Sequence, residues 1–213
     1  MHNSKSNKTL EYILGKLGVS AIDEIDNRIL REFRIGDFTR NDLAKLFAEL
    51  GFKEGVEIGV ERAHYSKVLC EANPDLKLWG VDPLIPYSGY REHVSEEKME
   101  GFFTEVQKRM NNRKFDLVRK FSLDAVRDFE DGSLDFVYID GNHDFQNTTN
   151  DIVEWSKKVR KGGIIAGHDF VRNKKKDYKC HVKDVVQAYT YANDIRPYFI
   201  TSEKSPSWFY VKQ

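Results

Sequence analysis

The sequence has little cysteine, no long apolar run and no excess charge of either sign. Cys70 and Cys180 are the only thiols among 213 residues, which excludes a disulfide framework and favours a reduced, cytoplasmic setting. No stretch approaches the roughly 18 continuous apolar residues of a membrane span, and residues 1–10 lack the apolar region of a secretion signal. Lys and Arg total 34, as do Asp and Glu, and this balance argues against a nucleic-acid partner.

The balance of charge conceals two oppositely charged segments. Residues 121–156 contain nine acidic side chains and one basic one, and residues 157–183 contain ten basic and two acidic ones. The acidic segment favours a bound cation. The basic segment includes the lysines at 174–176, and beside a pocket it would attract an anionic small-molecule acceptor.

The first 50 residues predict helices. Apolar residues recur at helical spacing in three stretches before residue 51. The second stretch runs from Ile22 to Phe33, and Thr39 is a suitable N-cap for the third. We therefore expect a helical N-terminal extension over residues 1–50. It would pack on the main domain, residues 51–213, or on a second copy of the chain in a homo-oligomer.

Short apolar runs of strand length alternate with amphipathic stretches from Gly55 onward. The predicted strands are residues 56–60, 77–82, 115–121, 134–140, 163–167, 198–201 and 207–211. This alternation predicts an α/β fold with a Rossmann-like, doubly wound sheet that is mostly parallel and carries helices on both faces. Only a short turn around residues 203–206 separates the last two strands, which favours an antiparallel C-terminal edge hairpin.

The residues directly after the strands are the candidates for chemistry, because ligands of doubly wound sheets bind at the carboxyl ends of the strands. Gly59 follows the first of these strands and allows a ligand to approach the backbone. Asp82 ends the second strand, where an acid can accept hydrogen bonds from both hydroxyls of a ribose. The pair indicates an adenosine-type cofactor. A turn glycine and a helix cap are the alternative explanation.

Glu57 favours S-adenosylmethionine (SAM) over NAD, because an acid is unfavourable beside a pyrophosphate but suits an ammonium group. At this point the chain resembles the class I SAM-dependent methyltransferases, in which an acid precedes three alternate glycines. Gly59 is the first of these glycines, and Glu61 and Ala63 stand at the other two positions. The resemblance implies that the cofactor contacts Glu57, Ile58, Gly59 and Val60.

Two later motifs narrow the resemblance. Residues 139–145 read Ile-Asp-Gly-Asn-His-Asp-Phe, and residues 162–169 read Gly-Gly-Ile-Ile-Ala-Gly-His-Asp. They resemble the methyltransferase branch related to macrocin O-methyltransferases and cephalosporin-hydroxylase-like proteins, with Phe145 where the branch usually has tyrosine. The resemblance spans about residues 55–210, and it implies methyl transfer to an oxygen of a small molecule.

These motifs end two neighbouring strands with acids and imidazoles, at Asp140, His143, His168 and Asp169. Such a set suits Mg²⁺ or another divalent cation, and the resemblance to metal-assisted O-methyltransferases implies the same. A cation would lower the pKa of the acceptor hydroxyl and orient it. Either imidazole could instead be the general base, or one of them could be a structural hydrogen-bonding group.

Four further positions complete the predicted site. Ser122 stands at the adenine side of the family fold, or it caps a helix. Ser66 could touch the carboxylate of the cofactor, and Pro83 and Asp140 are also assigned to the cofactor site. The acceptor pocket is expected beside residues 83–90 and 170–178. The candidates to line it are Tyr87, Tyr90, His93, Phe145 and Phe170.

Three other functions are compatible with parts of the sequence. A non-catalytic SAM- or nucleotide-binding module would explain why Glu61 and Ala63 replace glycines. A dehydrogenase is disfavoured by Glu57. A metallophosphoesterase would use the Gly-Asn-His-Asp of residues 141–144, but the chain contains no Asp-x-His, so that a two-metal site lacks its ligands.

Overall fold

Strands and helices alternate in the computed structural model, which describes residues 7–18, 32–87, 94–175 and 178–213. The strands are β1 (Glu32–Arg34), β2 (Glu54–Ile58), β3 (Lys77–Val81), β4 (Phe115–Val118), β5 (Leu134–Ile139), β6 (Val159–Gly167), β7 (Asn173–Lys175), β8 (Tyr178–Cys180), β9 (Tyr198–Ile200) and β10 (Trp208–Val211). The helices are α1 (Lys8–Lys16), α2 (Arg40–Glu49), α3 (His64–Ala72), α4 (Glu96–Met110), α5 (Ser122–Ala125), α6 (Phe145–Lys158) and α7 (Val182–Ala192). Among the described residues, no helix is both long enough and apolar enough to cross a membrane.

Eight strands form one mixed sheet in the order β1-β9-β10-β6-β5-β2-β3-β4. Strand β10 runs antiparallel to both of its neighbours, and the other pairings are parallel. From β2 the chain proceeds outward through β3 to β4, whereas β5 and β6 lie on the other side of β2. The strand order therefore reverses between β2 and β5, which is where doubly wound sheets bind ligands. The predicted fold class is confirmed.

The predicted antiparallel hairpin is formed by β9 and β10. Trp208 pairs with Ile200, and β10 also pairs with β6. The hairpin is not the last element of the sheet, because β1 adds outside it, parallel to β9, with Phe33 opposite Phe199. The prediction of a helix up to Phe33 is wrong at residues 32–34, which form this strand. The rest of that predicted helix, at residues 22–30, lies outside the described residues.

The sheet buries apolar side chains on both faces. In β5, Phe136 and Tyr138 point to one face, and Val137 and Ile139 belong to the core on the other. Helices α1 to α4 cover the first face and α6 and α7 cover the second. This alternation explains why β5 reads as a continuous apolar run, because a strand covered on both faces has no solvent side.

Helices α1 and α2 share their core with the sheet. Leu43 and Phe47 of α2 are fully buried, and the Phe47 ring stacks on Phe136 of β5 with centroids 4.2 Å apart. The predicted cap of α2 is confirmed, since the Thr39 backbone N–H donates to Asp42 at 3.1 Å. The boundary between residues 50 and 51 stays a prediction, although these contacts join α2 closely to the main sheet.

A short hairpin, β7 with β8, follows β6 and was not predicted. It pairs Asn173 with Cys180 in antiparallel register. The segment was expected to be a loop because its lysines give no apolar alternation. The two short strands form because their backbones pair with each other. A pattern of apolar and polar residues does not predict such pairing.

Candidate active site

A cavity of about 520 Å³ lies at the carboxyl ends of β2, β3, β5 and β6. All the residues predicted for cofactor binding, catalysis or metal binding line it, except Ser66. These residues are Glu57, Ile58, Gly59, Val60, Asp82, Pro83, Ser122, Asp140, His143, His168 and Asp169. The parallel strands explain the convergence, since their carboxyl ends meet at one edge of the sheet and carry the residues that follow them to the same place.

The loop between β2 and α3 holds a left-handed backbone at alternate residues. The φ angles are 87° at Gly59, 49° at Glu61 and 56° at Ala63. These are the three positions at which the predicted family has glycines. The loop thus has this conformation although Glu61 and Ala63 are not glycines, at a strain of roughly 1–2 kcal/mol for each of the two. Gly59 itself cannot be replaced without a clash, because a Cβ there would lie 2.1 Å from the backbone oxygen of Asp140.

Asp82 anchors this loop. Its Oδ2 accepts hydrogen bonds from the backbone N–H groups of Val60 at 3.0 Å and Glu61 at 2.9 Å, and its Oδ1 accepts from the N–H of Leu84 at 2.9 Å. A carboxylate offers about four acceptor positions, so Asp82 retains capacity for a ligand hydroxyl. Besides the predicted contact with the ribose, Asp82 therefore also holds the loop in its left-handed conformation.

Glu57 is a buried acid in the wall of the cavity. Burial raises the pKa of Glu57 to about 8, against a hydrogen bond from Ser66, and the charge of Asp140 raises it further. Ser66 is fully buried and its hydroxyl donates to Oε2 of Glu57. Ser66 does not line the cavity, and so its predicted contact with the cofactor is replaced by a contact with Glu57. Ser66 therefore orients the carboxyl group of Glu57 without lining the cavity itself.

Ser122 belongs to a buried polar group at the other side of the cavity. Its hydroxyl donates to Oδ1 of Asp151 and accepts from the indole N–H of Trp155 at 2.8 Å. The alternative that Ser122 caps a helix is wrong, because Phe121 occupies the N-cap position of α5. Burial raises the pKa of Asp151 to about 7, and the hydrogen bond from Ser122 opposes that rise.

Asp151 is a cavity residue to which the sequence analysis gave no role. It is 4% exposed and lies on the apolar side of α6 with Ile152 and Trp155. An acid on the buried face of an amphipathic helix is visible in the sequence as an interruption of the apolar stripe. That interruption was the signal available for finding it.

Three of the four predicted metal ligands come together. Asp140, His143 and Asp169 each offer a ligand atom, and these atoms lie within 4.8 Å of one another. Nε2 of His143 is 3.3 Å from Oδ1 of Asp140 and 3.5 Å from Oδ2 of Asp169. Two carboxylates and an imidazole at this spacing fit a divalent cation bound through oxygen and nitrogen at just over 2 Å.

His168 stands beside this group and is not one of its three ligands. Its Nδ1 is 3.7 Å from Oδ1 of Asp140 and 3.6 Å from Oδ1 of Asp169. Burial alone would lower the pKa of His168, but the hydrogen bond to Asp169 and the charges of both acids outweigh burial and raise it. For Asp169, burial is likewise outweighed, by the hydrogen bond with His168 and the charges of both histidines, and its pKa is lowered.

Part of the cavity lining is apolar. Ile85, Tyr87 and Phe121 form this part, and the rings of Tyr87 and Phe121 meet edge to face with centroids 5.2 Å apart. The predictions for Phe145 and Phe170 are wrong, because neither lines the cavity. Phe145 is 55% exposed, whereas Phe170 is buried in the core. The remaining two candidates, Tyr90 and His93, lie outside the described residues.

Arg40, the first residue of α2, also lines the cavity. No motif marks Arg40 as a site residue, because it belongs to the segment predicted as an N-terminal extension. It reaches the site only because α2 packs against the sheet next to α3.

Residues 56–170 match a family described as a methyltransferase domain. The chain belongs to this methyltransferase family. The match covers β2 to β6 and therefore all the loops that build the cavity, apart from Arg40 on α2. The prediction of a class I methyltransferase is confirmed, and the dehydrogenase and metallophosphoesterase alternatives lose their support. No curated protein sequence matches the methyltransferase.

Solved structures of O-methyltransferases share the fold. The O-methyltransferase TomG from Streptomyces achromogenes, in complex with SAM and involved in tomaymycin synthesis, has a TM-score of 0.58 at 16% identity, over 100% of this chain and 92% of that one. An O-methyltransferase from Bacillus cereus in complex with SAH has a TM-score of 0.57 at 17% identity, over 99% and 93%. An O-methyltransferase family protein from Burkholderia thailandensis has a TM-score of 0.60 at 12% identity, over 82% of this chain but only 55% of that one.

Proposed function

We propose that this methyltransferase transfers a methyl group from SAM to an oxygen of a small-molecule acceptor with the help of a divalent cation. The observation that carries the proposal is the loop of residues 59–63. It keeps left-handed residues at three alternate positions, is anchored by Asp82 and passes against the backbone of Asp140. A loop held in this strained form at Glu61 and Ala63, at the carboxyl end of β2, supports a role in cofactor binding.

Different residues of the cavity suit different parts of the cofactor. Glu57 suits the ammonium group of the methionine end, since a buried acid gains most from a buried positive partner. Asp82 suits the ribose hydroxyls, and Ser122 and Asp151 give the far side of the cavity polar groups for the adenine. SAM supplies an electrophilic methyl group on a sulfonium ion, and the acids of the cavity complement its positive charge.

Asp140, His143 and Asp169 would hold the cation, whose chemistry is to lower the pKa of an acceptor hydroxyl. His168 is placed to receive the hydroxyl proton, because it lies beside this group and is oriented by Asp140 and Asp169. The apolar part of the lining, at Ile85, Tyr87 and Phe121, favours an acceptor with an apolar body. The anionic acceptor stays a prediction, because Lys176 lies outside the described residues.

Calorimetric titration with S-adenosylhomocysteine (SAH) and with NAD tests the cofactor. We expect micromolar binding of SAH and none of NAD. Asp82→Ala should weaken SAH binding at least 10-fold, because it removes both the ribose acceptor and the anchor of the loop. Asp75→Ala is the matched control, since Asp75 is an exposed acid just before β3, at the opposite end of that strand. Unchanged SAH affinity in Asp82→Ala would contradict the cofactor assignment.

Titration with Mn²⁺ tests the cation. The wild type should bind one ion, and Asp169→Ala should abolish binding while SAH affinity changes little. Asp131→Ala, which removes an exposed acid outside the cavity, should bind as the wild type does. Methyl transfer to a panel of hydroxylated compounds with and without a chelator then separates a metal-assisted enzyme from a metal-independent one. If the protein binds SAH but methylates no compound of the panel, the result would favour the alternative of a non-catalytic binding module.

A further inference from the structure

Arg40 is a positive charge at the wall of a strongly acidic cavity. The cavity is lined by six carboxylate side chains, Glu57, Glu61, Asp82, Asp140, Asp151 and Asp169. Among the lining residues that the structure describes, Arg40 is the single lysine or arginine. The cavity is thus built mainly for positive charge, and a lone guanidinium within it needs a separate explanation.

The backbone of Arg40 is fixed on both sides. Its N–H donates to Oε1 of Glu203, in the turn between β9 and β10, at 2.6 Å. Its carbonyl oxygen accepts from the hydroxyl of Tyr65, on α3, at 2.7 Å. The guanidinium carbon lies 5.2 Å from the centre of the Tyr65 ring. These contacts join three separate segments, and they hold the arginine against the part of the cavity wall formed by α3.

The side chain of Arg40 has no ion-pair partner within 4.0 Å among the described residues, although Lys16, Lys77 and Arg160 each have one. The charge of Arg40 lowers the pKa of both Glu57 and His168, against the larger raising effect of burial at Glu57 and in the same direction as burial at His168. Arg40 lines the same cavity as Glu57, and its guanidinium lies over the ring of Tyr65, the neighbour of the Ser66 that donates to Glu57. The guanidinium therefore lies on the Glu57 side of the cavity, where the methionine end of the proposed cofactor would bind. A guanidinium presents a planar fork of donors that matches a carboxylate in two parallel hydrogen bonds.

An α-amino acid group requires charges of both signs within a few ångströms, because its ammonium and carboxylate share one carbon atom. Glu57 is the acid at this place, and a bound ammonium group would favour its charged form. The remaining acids suit the sulfonium ion, the ribose and a cation, and they would repel a carboxylate. We propose that Arg40 binds the α-carboxylate at the methionine end of the cofactor, opposite Glu57.

This inference rests on the proposed function, and it extends the cofactor site beyond the residues that match the methyltransferase family. The first 50 residues then contribute a ligand contact and are not only an appendage. Arg40 lies outside the matched segment, 56–170, so that the carboxylate contact would be a property of this chain's own N-terminal segment.

The test compares two ligands that differ only in the carboxylate, SAH and its decarboxylated analogue with a 3-aminopropyl group. Calorimetry on Arg40→Gln should show SAH bound about 10- to 100-fold more weakly than in the wild type, since a charge-assisted hydrogen bond contributes on the order of 1.5–3 kcal/mol. The decarboxylated analogue should bind Arg40→Gln and the wild type equally. Lys45→Gln, which removes an exposed charge from the same helix, should match the wild type with both ligands.

Two outcomes would overturn the inference while leaving the proposed function intact. Unchanged SAH affinity in Arg40→Gln would assign the guanidinium to the acceptor, and equal losses for both ligands would assign it to the structure of the pocket. Failure of the wild type to bind SAH would instead overturn the proposed function itself. Should Arg40→Gln fail to fold, Arg40→Lys carries the test, because it keeps the charge without the planar fork and should lose part of the SAH affinity only.

Discussion

Two buried carboxyl groups, Glu57 and Asp151, face the same cavity from opposite sides. Burial raises the pKa of Glu57 to about 8 and that of Asp151 to about 7. Each is oriented by one serine, Ser66 or Ser122. Both groups hold a proton over a pH range in which an unfolded chain would release it. Such buried acids are costly to the free protein.

The stability of the ligand-free protein should depend on pH through Glu57. Its folded pKa, about 8, lies above the value of 4.5 in the unfolded chain. The contribution of this group is therefore complete below pH 4.5 and is lost as the pH rises towards 8. The neutral variant Glu57→Gln has no proton to lose. We expect the difference in unfolding free energy between the two proteins to shift in favour of the variant by roughly 3–5 kcal/mol from pH 5 to pH 8.

Urea denaturation at several pH values checks this expectation. Parallel pH profiles for Glu57→Gln and the wild type would contradict it, because a Glu57 with an ordinary pKa contributes nothing over this interval. Asp151→Asn should act in the same direction over a narrower range that ends near pH 7.

At the scale of elements, the loop from β2 to α3 shows that a conformation can persist when its characteristic residues are lost. Ala63 and Glu61 keep positive φ angles because Asp82 binds two backbone N–H groups of the loop. The sequence indicated a departure from the glycine pattern at both positions. It could not show that the backbone had remained in place, because the hydrogen bonds that hold it come from the end of a different strand.

Gly59→Ala should be severe, and Gly51→Ala mild. Both glycines have positive φ, 87° and 70°, but only Gly59 lacks space for a Cβ, which would lie 2.1 Å from the Asp140 carbonyl oxygen. Gly51→Ala is strained in its backbone alone, and we expect a loss of about 1 kcal/mol. Gly59→Ala must also displace the backbone of Asp140 and Gly141, just after β5, and we expect a loss above about 3 kcal/mol together with the loss of SAH binding. Chemical denaturation of the two variants measures the difference; equal losses would show that steric exclusion at Gly59 is unimportant.

At the scale of the whole molecule, the N-terminal segment and the sheet share one core. Phe47 of α2 stacks on both Phe52 and Phe136, and α1 contributes Leu10 and Ile13 to the same cluster. The periodicity of the segment correctly predicted α1 and α2. Nothing in it could show that their apolar faces pack on this sheet and not on a second copy of the chain.

Phe47→Ala should therefore destabilise the whole protein. The side chain is fully buried, and truncation of a buried phenylalanine costs about 3–5 kcal/mol. Tyr191→Ala, at a residue that is 70% exposed, should cost less than about 1 kcal/mol. Urea denaturation should show a single transition, and its midpoint should lie at a lower urea concentration in Phe47→Ala than in the wild type. A separate early transition, with the main one unmoved, would show that α2 unfolds as an independent extension.

The sequence by itself determined the doubly wound sheet and most of the site. Strands buried on both faces must be continuously apolar, and the polar residues that follow parallel strands must converge, so Glu57, Asp82, Asp140, His143 and Asp169 could be read in order along the chain.

Only the tertiary structure decided the rest. Residues 32–34 pair with β9, and Ser66 contacts Glu57 and not the cavity. His168 is not one of the three grouped ligands, and Arg40 lines the cavity. The physical reason is common to all four. Each depends on contacts between segments distant in the chain, and neither periodicity nor the spacing of a motif encodes such contacts.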